Sequence, residues 1–397
     1  MVSAGTFIFS IVIARVQGAY AVGLYSIALA VVNLVSTIGL YNMRAYQITD
    51  INQIYSFKEY KISRVITIGI MILAMLSIIL LGNYNNEVKG IIFLLTINEG
   101  INALSDVYQG MFQIEGALDK AGKTKVIRYS TYILGFIVVL IITKTLMLSF
   151  AFMVVINIIL FLLYDLKVGR KYKVIDTCIE KMKVKELLYK CFPLFLSAFF
   201  MMYYLNASKY AINKFMDEYS QGIYNILYML TFVLNLFAIF FMQPMLPYLA
   251  NEWRKTDKKR YIKIIHFLIG ILLIFIILAE LLVKPIGLPV LSYLYKIDLK
   301  DYEDIFRLLL VVGGIQAIVG TLQSALILMR RQVSILIGTG VTCILLYFTS
   351  NSFVKNYGLL GASVANLLSG SVLLVIFYVL FWIGIKTTVE DDIEHES

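Results

Sequence analysis

The sequence predicts an all-α integral membrane protein of about 12 transmembrane helices, in two six-helix lobes related by a parallel pseudo-two-fold repeat. Three observations carry this. The 397 residues are 60% hydrophobic and 15% charged, with a mean hydropathy of +0.83, which a water-facing surface does not tolerate. Apolar runs recur at the length of a bilayer span, ~20 residues. A basic stretch, residues 165–190, divides those runs six and six, leaving no length for a soluble domain.

In order, the spans are Met1–Ala14, Val22–Tyr41, Val65–Gly82, Ile91–Phe112, Val126–Thr143 and Leu146–Tyr164, forming an N-terminal lobe over residues 1–164. Residues 165–190 form a basic cytoplasmic linker. Cys191–Ser208, Gly222–Met242, Ile264–Val283, Ile305–Met329, Val333–Phe348 and Leu359–Ile385 form a C-terminal lobe over 191–385, and 386–397 a cytoplasmic tail. The first span is short, as expected of a late start site or of a helix that begins at the interface. It runs into Arg15 without a small-residue cleavage pattern, so it is expected to anchor the chain.

Most of the 35 Lys and Arg fall after the even-numbered spans and in the tail. They include Arg44, Lys58, Lys61 and Arg64; Lys120, Lys123, Lys125 and Arg128; Arg330 and Arg331; and two long runs, from Lys167 through Arg170, Lys171 and Lys173 to Lys190, and from Arg254 to Lys263. By the positive-inside rule both termini are cytoplasmic, in a multi-pass protein of the cell membrane. The net charge of +10 is then topogenic: it meets anionic membrane lipids and needs no nucleic-acid partner. Lys181–Tyr189 reads as an interfacial helix.

An internal repeat supports the two lobes. Gly23-Leu24-Tyr25-Ser26-Ile27 opens the second span and Gly222-Ile223-Tyr224-Asn225-Ile226 the eighth. Equal parity, six spans apart, means parallel repeats.

The most informative span is the fourth. Glu99, Asn102, Asp106, Gln109 and Gln113 recur at intervals of three, four, three and four, which is one face of a helix. Lipid exposure of two carboxylates would cost several kcal/mol. The face either lines a cavity or packs as a polar seam, and two ionisable groups exceed what packing requires. Glu99 and Asp106 are the ion-coupling candidates; Asn102, Gln109 and Gln113 are candidate substrate contacts. Tyr224, Tyr228, Thr231 and Asn235 form an uncharged stripe on the eighth span, and Gln316, Gly320 and Gln323 share a face of the tenth. Glu280 reads as interfacial. Arg15, Lys209 and Lys214 are cations near the membrane outside the topogenic loops. Each either snorkels to the interface or belongs to a vestibule that attracts a phosphate-bearing substrate.

Cys178, Cys191, Cys343, His266 and His395 are scattered, which excludes a disulfide framework and a metal site. The chain carries no Walker sequence, no Gly-x-Ser-x-Gly and no His-Glu-x-x-His. Catalytic residues, cofactors and metals are therefore expected to be none.

The segments Ala14-Arg15-Val16-Gln17-Gly18, Gly23-Leu24-Tyr25-Ser26 and Gly39-Leu40-Tyr41-Asn42-Met43-Arg44 carry a family resemblance. So do Asp106 to Gln113, Ala117 to Lys123, and Phe192-Pro193-Leu194 opening the seventh span. Together they resemble bacterial polysaccharide flippases, the O-antigen and capsule repeat-unit (Wzx-type) translocases of the multidrug/oligosaccharidyl-lipid/polysaccharide exporter superfamily. The resemblance implies a transporter, not an enzyme. It would move undecaprenyl-pyrophosphate-linked oligosaccharide to the outer leaflet by alternating access, with a proton or sodium as the coupling ion in some members. A polysaccharide polymerase and glycosyltransferases of the same pathway are the implied partners. Arg15 and Arg44 match basic positions of the family's early motifs; Lys209 and Lys214 follow by lobe symmetry only. The short first span departs from the pattern. The alternatives are a cation-coupled multidrug antiporter of the same superfamily, which needs no basic vestibule, and a membrane polymerase or glycosyltransferase, which usually carries a large outward loop. A purely structural subunit is disfavoured by the intramembrane charges.

Overall fold

The computed structural model of the chain describes residues 2–50, 54–116, 118–169, 180–253, 255 and 258–396. Met1, Ala117, Arg170, Lys171, Lys173, Cys178 and Arg254 lie outside the described residues, as do the side chains of Lys120 and His395. Among the described residues every regular element is helical, and ten stretches are long and apolar enough to cross a bilayer.

Two of those stretches, Gly5–Ile48 and Gln332–Thr387, are far too long for one crossing. The continuous helix Val2–Leu40 has 39 residues and would extend ~58 Å at ~1.5 Å per residue, against a hydrocarbon core of ~30 Å. Each doubles back at a glycine whose backbone L side chains rarely adopt: Gly18 at φ 81°, ψ −176° and Gly358 at φ 58°, ψ −135°. The rings of Phe9 and Tyr25, sixteen positions apart, lie 6.4 Å from one another. The Thr349 and Ser369 hydroxyls, twenty apart, lie at 3.5 Å. Neither approach exists along a straight helix.

Counting these reversals gives twelve long helices among the described residues. They are α1 (2–17), α2 (19–40), α3 (Phe57–Leu81), α4 (Asn86–Ile114), α5 (Leu118–Thr143), α6 (Leu146–Leu160), α7 (Lys181–Phe215), α8 (Glu218–Met229 and Thr231–Trp253), α9 (Lys259–Leu282), α10 (Glu303–Leu328), α11 (332–357) and α12 (359–396). The chain divides into two compact units, Met1–Tyr203 and Tyr204–Ser397, with the division inside α7.

Local chemistry sets the ends. Ser56 caps α3 by accepting from Glu59 N at 3.3 Å while the Glu59 carboxylate accepts from Ser56 N at 2.7 Å, a reciprocal capping box. Asp217 caps α8 through Ser220 N at 2.8 Å. Those two backbone and hydroxyl donors of Ser220 hold the Asp217 carboxyl below its ordinary range. Large apolar side chains such as Leu73, Leu80 and Leu81 on α3, Phe267 and Ile277 on α9, and Ile344 and Phe348 on α11 are exposed. Water would not tolerate such faces; a lipid solvent requires them.

Two boundaries differ from the sequence reading. The helix expected to open at Cys191 starts ten residues earlier, at Lys181. Val184, Leu187, Leu188 and Cys191 follow the i, i+3, i+4, i+7 period. Leu187, Leu188 and Cys191 pack on Met43, Tyr55, Tyr60 and Val107. The expected interfacial helix Lys181–Tyr189 is thus the docked first turns of α7, and Pro193 lies inside the helix, removing one rung. Asp165, taken as the first linker residue, is buried in a widened π turn, Phe161–Leu166, that prolongs α6.

The two repeated motifs occupy like places in their units. Tyr25 of α2 is buried and stacks on Phe150 of α6 at 5.7 Å. Tyr224 of α8 is equally buried, and its hydroxyl accepts from Asn366 of α12 at 2.7 Å. The second helix of each unit is thereby tied to the sixth.

A Cβ at Gly18 meets nothing within 4 Å, and neither does one at Gly270 in the middle of α9. Substitution therefore separates backbone strain from steric clash. Gly18→Ala is expected to destabilise by about 1–3 kcal/mol, while Gly270→Ala is neutral or stabilising by up to ~1 kcal/mol. Thermal unfolding in detergent micelles distinguishes them, and equal melting of the two variants would remove the strained reversal.

Candidate functional site

The polar face of α4 does not meet lipid. Its five side chains belong to one hydrogen-bonded network in the first unit, built from both ends of the stripe. Toward the C-terminal end of α4, Tyr41 and Asn42 adopt left-handed backbone (φ 47° and 46°) and turn the chain off α2 into a short helix, Met43–Thr49. This places Arg44 against the stripe. Its Nη1 donates to Asp106 Oδ1 at 3.1 Å and Gln109 Oε1 at 3.3 Å, and its Nη2 to Gln113 Oε1 at 3.2 Å.

Arg64 of α3 approaches the same carboxylate from the other side. Its side chain is fully buried; Nη2 donates to Asp106 Oδ2 at 3.1 Å, and Nη1 to the Gly39 carbonyl at 2.9 Å and to the Leu40 carbonyl. One guanidinium thus satisfies the open C-terminal carbonyls of α2 and neutralises an acid on α4. Asp106, whose side chain is 18% exposed, is held by two cations.

One turn back toward the middle of α4 lies a second centre. Arg128 of α5, buried, pairs with buried Asp165 at 3.0 Å. Its Nε donates to Asn157 Oδ1 at 2.5 Å and its Nη2 to Asn102 Oδ1 at 2.7 Å. Asn157 of α6 donates to Asn98 at 2.6 Å and Asn102 at 3.3 Å. Ser105 donates to Asp165 at 2.9 Å and accepts from Gln109 at 3.1 Å, which joins this centre to the Arg44 centre. Glu99 closes the network, accepting from Asn98 at 3.3 Å and Asn102 at 3.0 Å. Among the described residues no cation lies within ion-pair distance of Glu99.

Arg64, Arg128, Asp165, Asn157, Asn98 and Ser105 were not in the sequence-derived set. Arg64 and Arg128 fall next to basic loops, and counting charges by loop assigns them to topogenesis. The structure corrects this: they lie inside the bundle. The signal that could have found them is Asp106 itself, since a carboxylate at that depth demands a cation from a neighbouring span.

The remaining cations are dispersed. Arg15 is exposed on α1, apart from the α4 stripe's hydrogen bonds. Lys214 is exposed near the end of α7, its Nζ 5.1 Å from the Phe215 ring. Lys209, two turns inside α7, is only 8% exposed, with Nζ 5.4 Å over the Tyr228 ring. Among the described residues it has no carboxylate partner. Around Tyr228 the two uncharged stripes of the second unit face each other. Gln316 Nε2 donates to the Tyr228 hydroxyl at 3.1 Å, and a Cβ at Gly320 would lie 4.0 Å from Asn235 Oδ1.

The backbone is similar to that of an inward-facing multidrug resistance MATE family transporter of the MOP superfamily, with a TM-score of 0.72 at 12% identity, covering 97% of this chain and 95% of the other. It is as similar to the lipid II flippase MurJ in an inward closed conformation, TM-score 0.72 at 14% identity, covering 94% and 84%. A MOP superfamily transporter from Pyrococcus furiosus aligns with a TM-score of 0.61 at 15% identity, covering 96% and 92%. At such identities the likeness shows the fold alone, that of a multi-pass membrane protein. No curated protein matches in sequence. The family model described as Polysaccharide biosynthesis protein matches residues 4–253. That match spans more than half of the sequence, and the chain belongs to the Polysaccharide biosynthesis protein family.

Proposed function

We propose that this protein is a flippase that carries undecaprenyl-pyrophosphate-linked oligosaccharide from the inner to the outer leaflet of the cell membrane by alternating access. The family membership supports a role in polysaccharide biosynthesis. The observation that carries the reading is a buried cation without a counter-charge: Lys209 has no carboxylate within ion-pair distance among the described residues, while the partly exposed Arg44 shares Asp106 with Arg64. A buried charge without a counter-ion costs several kcal/mol. Cations left in that state are suited to an anionic headgroup that supplies the missing charge on binding. The amides and hydroxyls beside them suit sugar hydroxyls. A glycan headgroup cannot cross hydrocarbon unaided, while the polyprenyl tail can stay in lipid throughout. No bond is made or broken.

The two ion-coupling candidates divide by their surroundings. Asp106 is already paired with two guanidiniums. Glu99, held only by neutral amides, is the better candidate for a proton or sodium site. Glycosyltransferases and a polymerase of the same pathway are the expected partners.

The test is leaflet translocation of a fluorescent undecaprenyl-pyrophosphate oligosaccharide in proteoliposomes. The native chain is expected to translocate it; Arg44→Ala and Lys209→Ala are expected to slow this roughly tenfold or more, as loss of a charge-assisted contact does. Glu99→Gln is expected to abolish dependence on an ion gradient. No translocation of any glycan, with export of a cationic dye instead, would replace the flippase by the antiporter of the same fold.

A stability measurement separates the fixed part of the network from the part that meets substrate. Arg64→Lys keeps the charge but cannot reach two carbonyls and Asp106 at once, so it is expected to cost about 3 kcal/mol. Arg44→Ala, at a partly exposed position, is expected to cost less than half of that. Equal melting points in detergent would show that Arg64 does not brace α2 against α4.

A further inference from the structure

The connection between α9 and α10 is where the internal repeat breaks. In the first unit the equivalent connection, between α3 and α4, is residues 82–85. In the second, α9 runs through a widened π turn, Val283–Gly287, into a further helix, Leu288–Tyr295, and a 3-10 turn, Lys300–Tyr302, before α10 begins. This added segment walls a cavity of about 650 Å³, whose lining includes Lys284, Lys296 and Lys300 together with Leu288, Pro289 and Ile297. Its volume suits a ligand headgroup.

Three features distinguish the lysines. None has a carboxylate within ion-pair distance among the described residues, although two acids line the same cavity. Those acids are engaged elsewhere: Asp298 accepts from Lys300 N at 3.2 Å, and Glu303 accepts from Arg307 at 2.8 and 3.2 Å. Arg307 in turn lies 3.6 Å from Glu280. Second, Lys296 ends the Leu288–Tyr295 helix in left-handed backbone, φ 55° and ψ 38°, a position that glycine or asparagine ordinarily fills. A lysine kept at a strained cap points to a role for its side chain. Third, with both termini cytoplasmic this end of the unit faces outward, where the positive-inside rule disfavours cations; topogenesis does not account for three in one connection.

In the same segment Ile286, Val290 and Tyr293 are exposed, as is Leu281 of α9. Exposed apolar side chains on the same segment as a cavity lined by three lysines suit a molecule with a phosphate head and a hydrocarbon tail. We propose that the α9–α10 connection is a lipid-binding site of the outer leaflet. It takes the phosphate or pyrophosphate headgroup among Lys284, Lys296 and Lys300 and lays the chain along Leu281, Ile286 and Val290. The site is distinct from the α4 network, and its existence does not depend on what the protein transports.

The whole chain in detergent micelles is exposed in turn to photoactivatable phosphatidylglycerol, phosphatidylcholine and undecaprenyl pyrophosphate, and crosslinks are mapped to peptides. Labelling of residues 284–303 by one or both of the net-anionic lipids is expected. The yield should fall about tenfold or more in a Lys284→Ala, Lys296→Gly, Lys300→Ala variant, and about fivefold in Lys296→Gly alone, following the weight of one basic residue against an anionic surface. Lys296→Gly relaxes the strained cap, so its melting point should not fall, and its labelling stays interpretable if the triple variant folds poorly. Stronger labelling by phosphatidylglycerol identifies a membrane lipid as the occupant, and stronger labelling by the pyrophosphate identifies the polyprenyl carrier. Equal labelling by phosphatidylcholine, or yields unchanged by removal of the lysines, overturns the site.

Discussion

The Asp106 carboxylate between Arg44 and Arg64 is the constraint on which the first unit depends. A carboxylate that deep in an apolar bundle is tolerable only with counter-charge and hydrogen bonds at close range. Supplying them fixes three pieces of chain at once. Arg64 must reach from α3 to both the carbonyl end of α2 and α4. Arg44 must come off the end of α2, which requires the left-handed turn at Tyr41 and Asn42. The aromatic cluster of Met43, Tyr55 and Tyr60, against which the first turns of α7 dock, sits beside that turn. The electrostatic centre and the packing of the basic end of the unit are one arrangement.

The same reasoning explains why the second centre is made of amides. Arg128 and Asp165 neutralise one another, and Asn102, Asn157 and Ser105 add hydrogen bonds to the pair. Neutral amides satisfy a charged pair without adding charge, so this part of the network carries no net charge that a bilayer would penalise. Because Gln109 bonds to both centres, a change in one is felt by the other through a single side chain.

Much of this was legible in the sequence, and the illegible part has a physical cause. Glu99, Asn102, Asp106, Gln109 and Gln113 could be placed on one face because helical period is a local property. The Tyr228 and Gln316 stripes were visible for the same reason, and they do meet. Their partners were not. Nothing local tells an arginine at the end of a loop from one a turn inside a bundle, so Arg64 and Arg128 were counted with the loops, and Asp165 with the linker. The start of α7 was misplaced because hydropathy marks where lipid begins, whereas α7 begins where an amphipathic face finds a protein surface to cover. The reversals at Gly18 and Gly358 fall between expected spans, but their tightness is a backbone property that spacing alone does not reveal.

The two units answer the cost of buried charge in opposite ways. In the first, every guanidinium of the network touches a carboxylate. In the second, Lys209 rests against the Tyr228 ring, whose quadrupole offsets only about 0.5–2 kcal/mol, less than desolvation of an ammonium costs. The difference must be met by the rest of the fold or recovered when an anion arrives. Pre-paired charges hold geometry but gain little from a new anion, because its approach must compete with the carboxylates already present. An unpaired buried cation contributes little to stability and gains most from an anion. Bracing falls to Arg64, Arg128 and their acids, and under the proposed function Lys209 is the cation left to meet an anionic substrate.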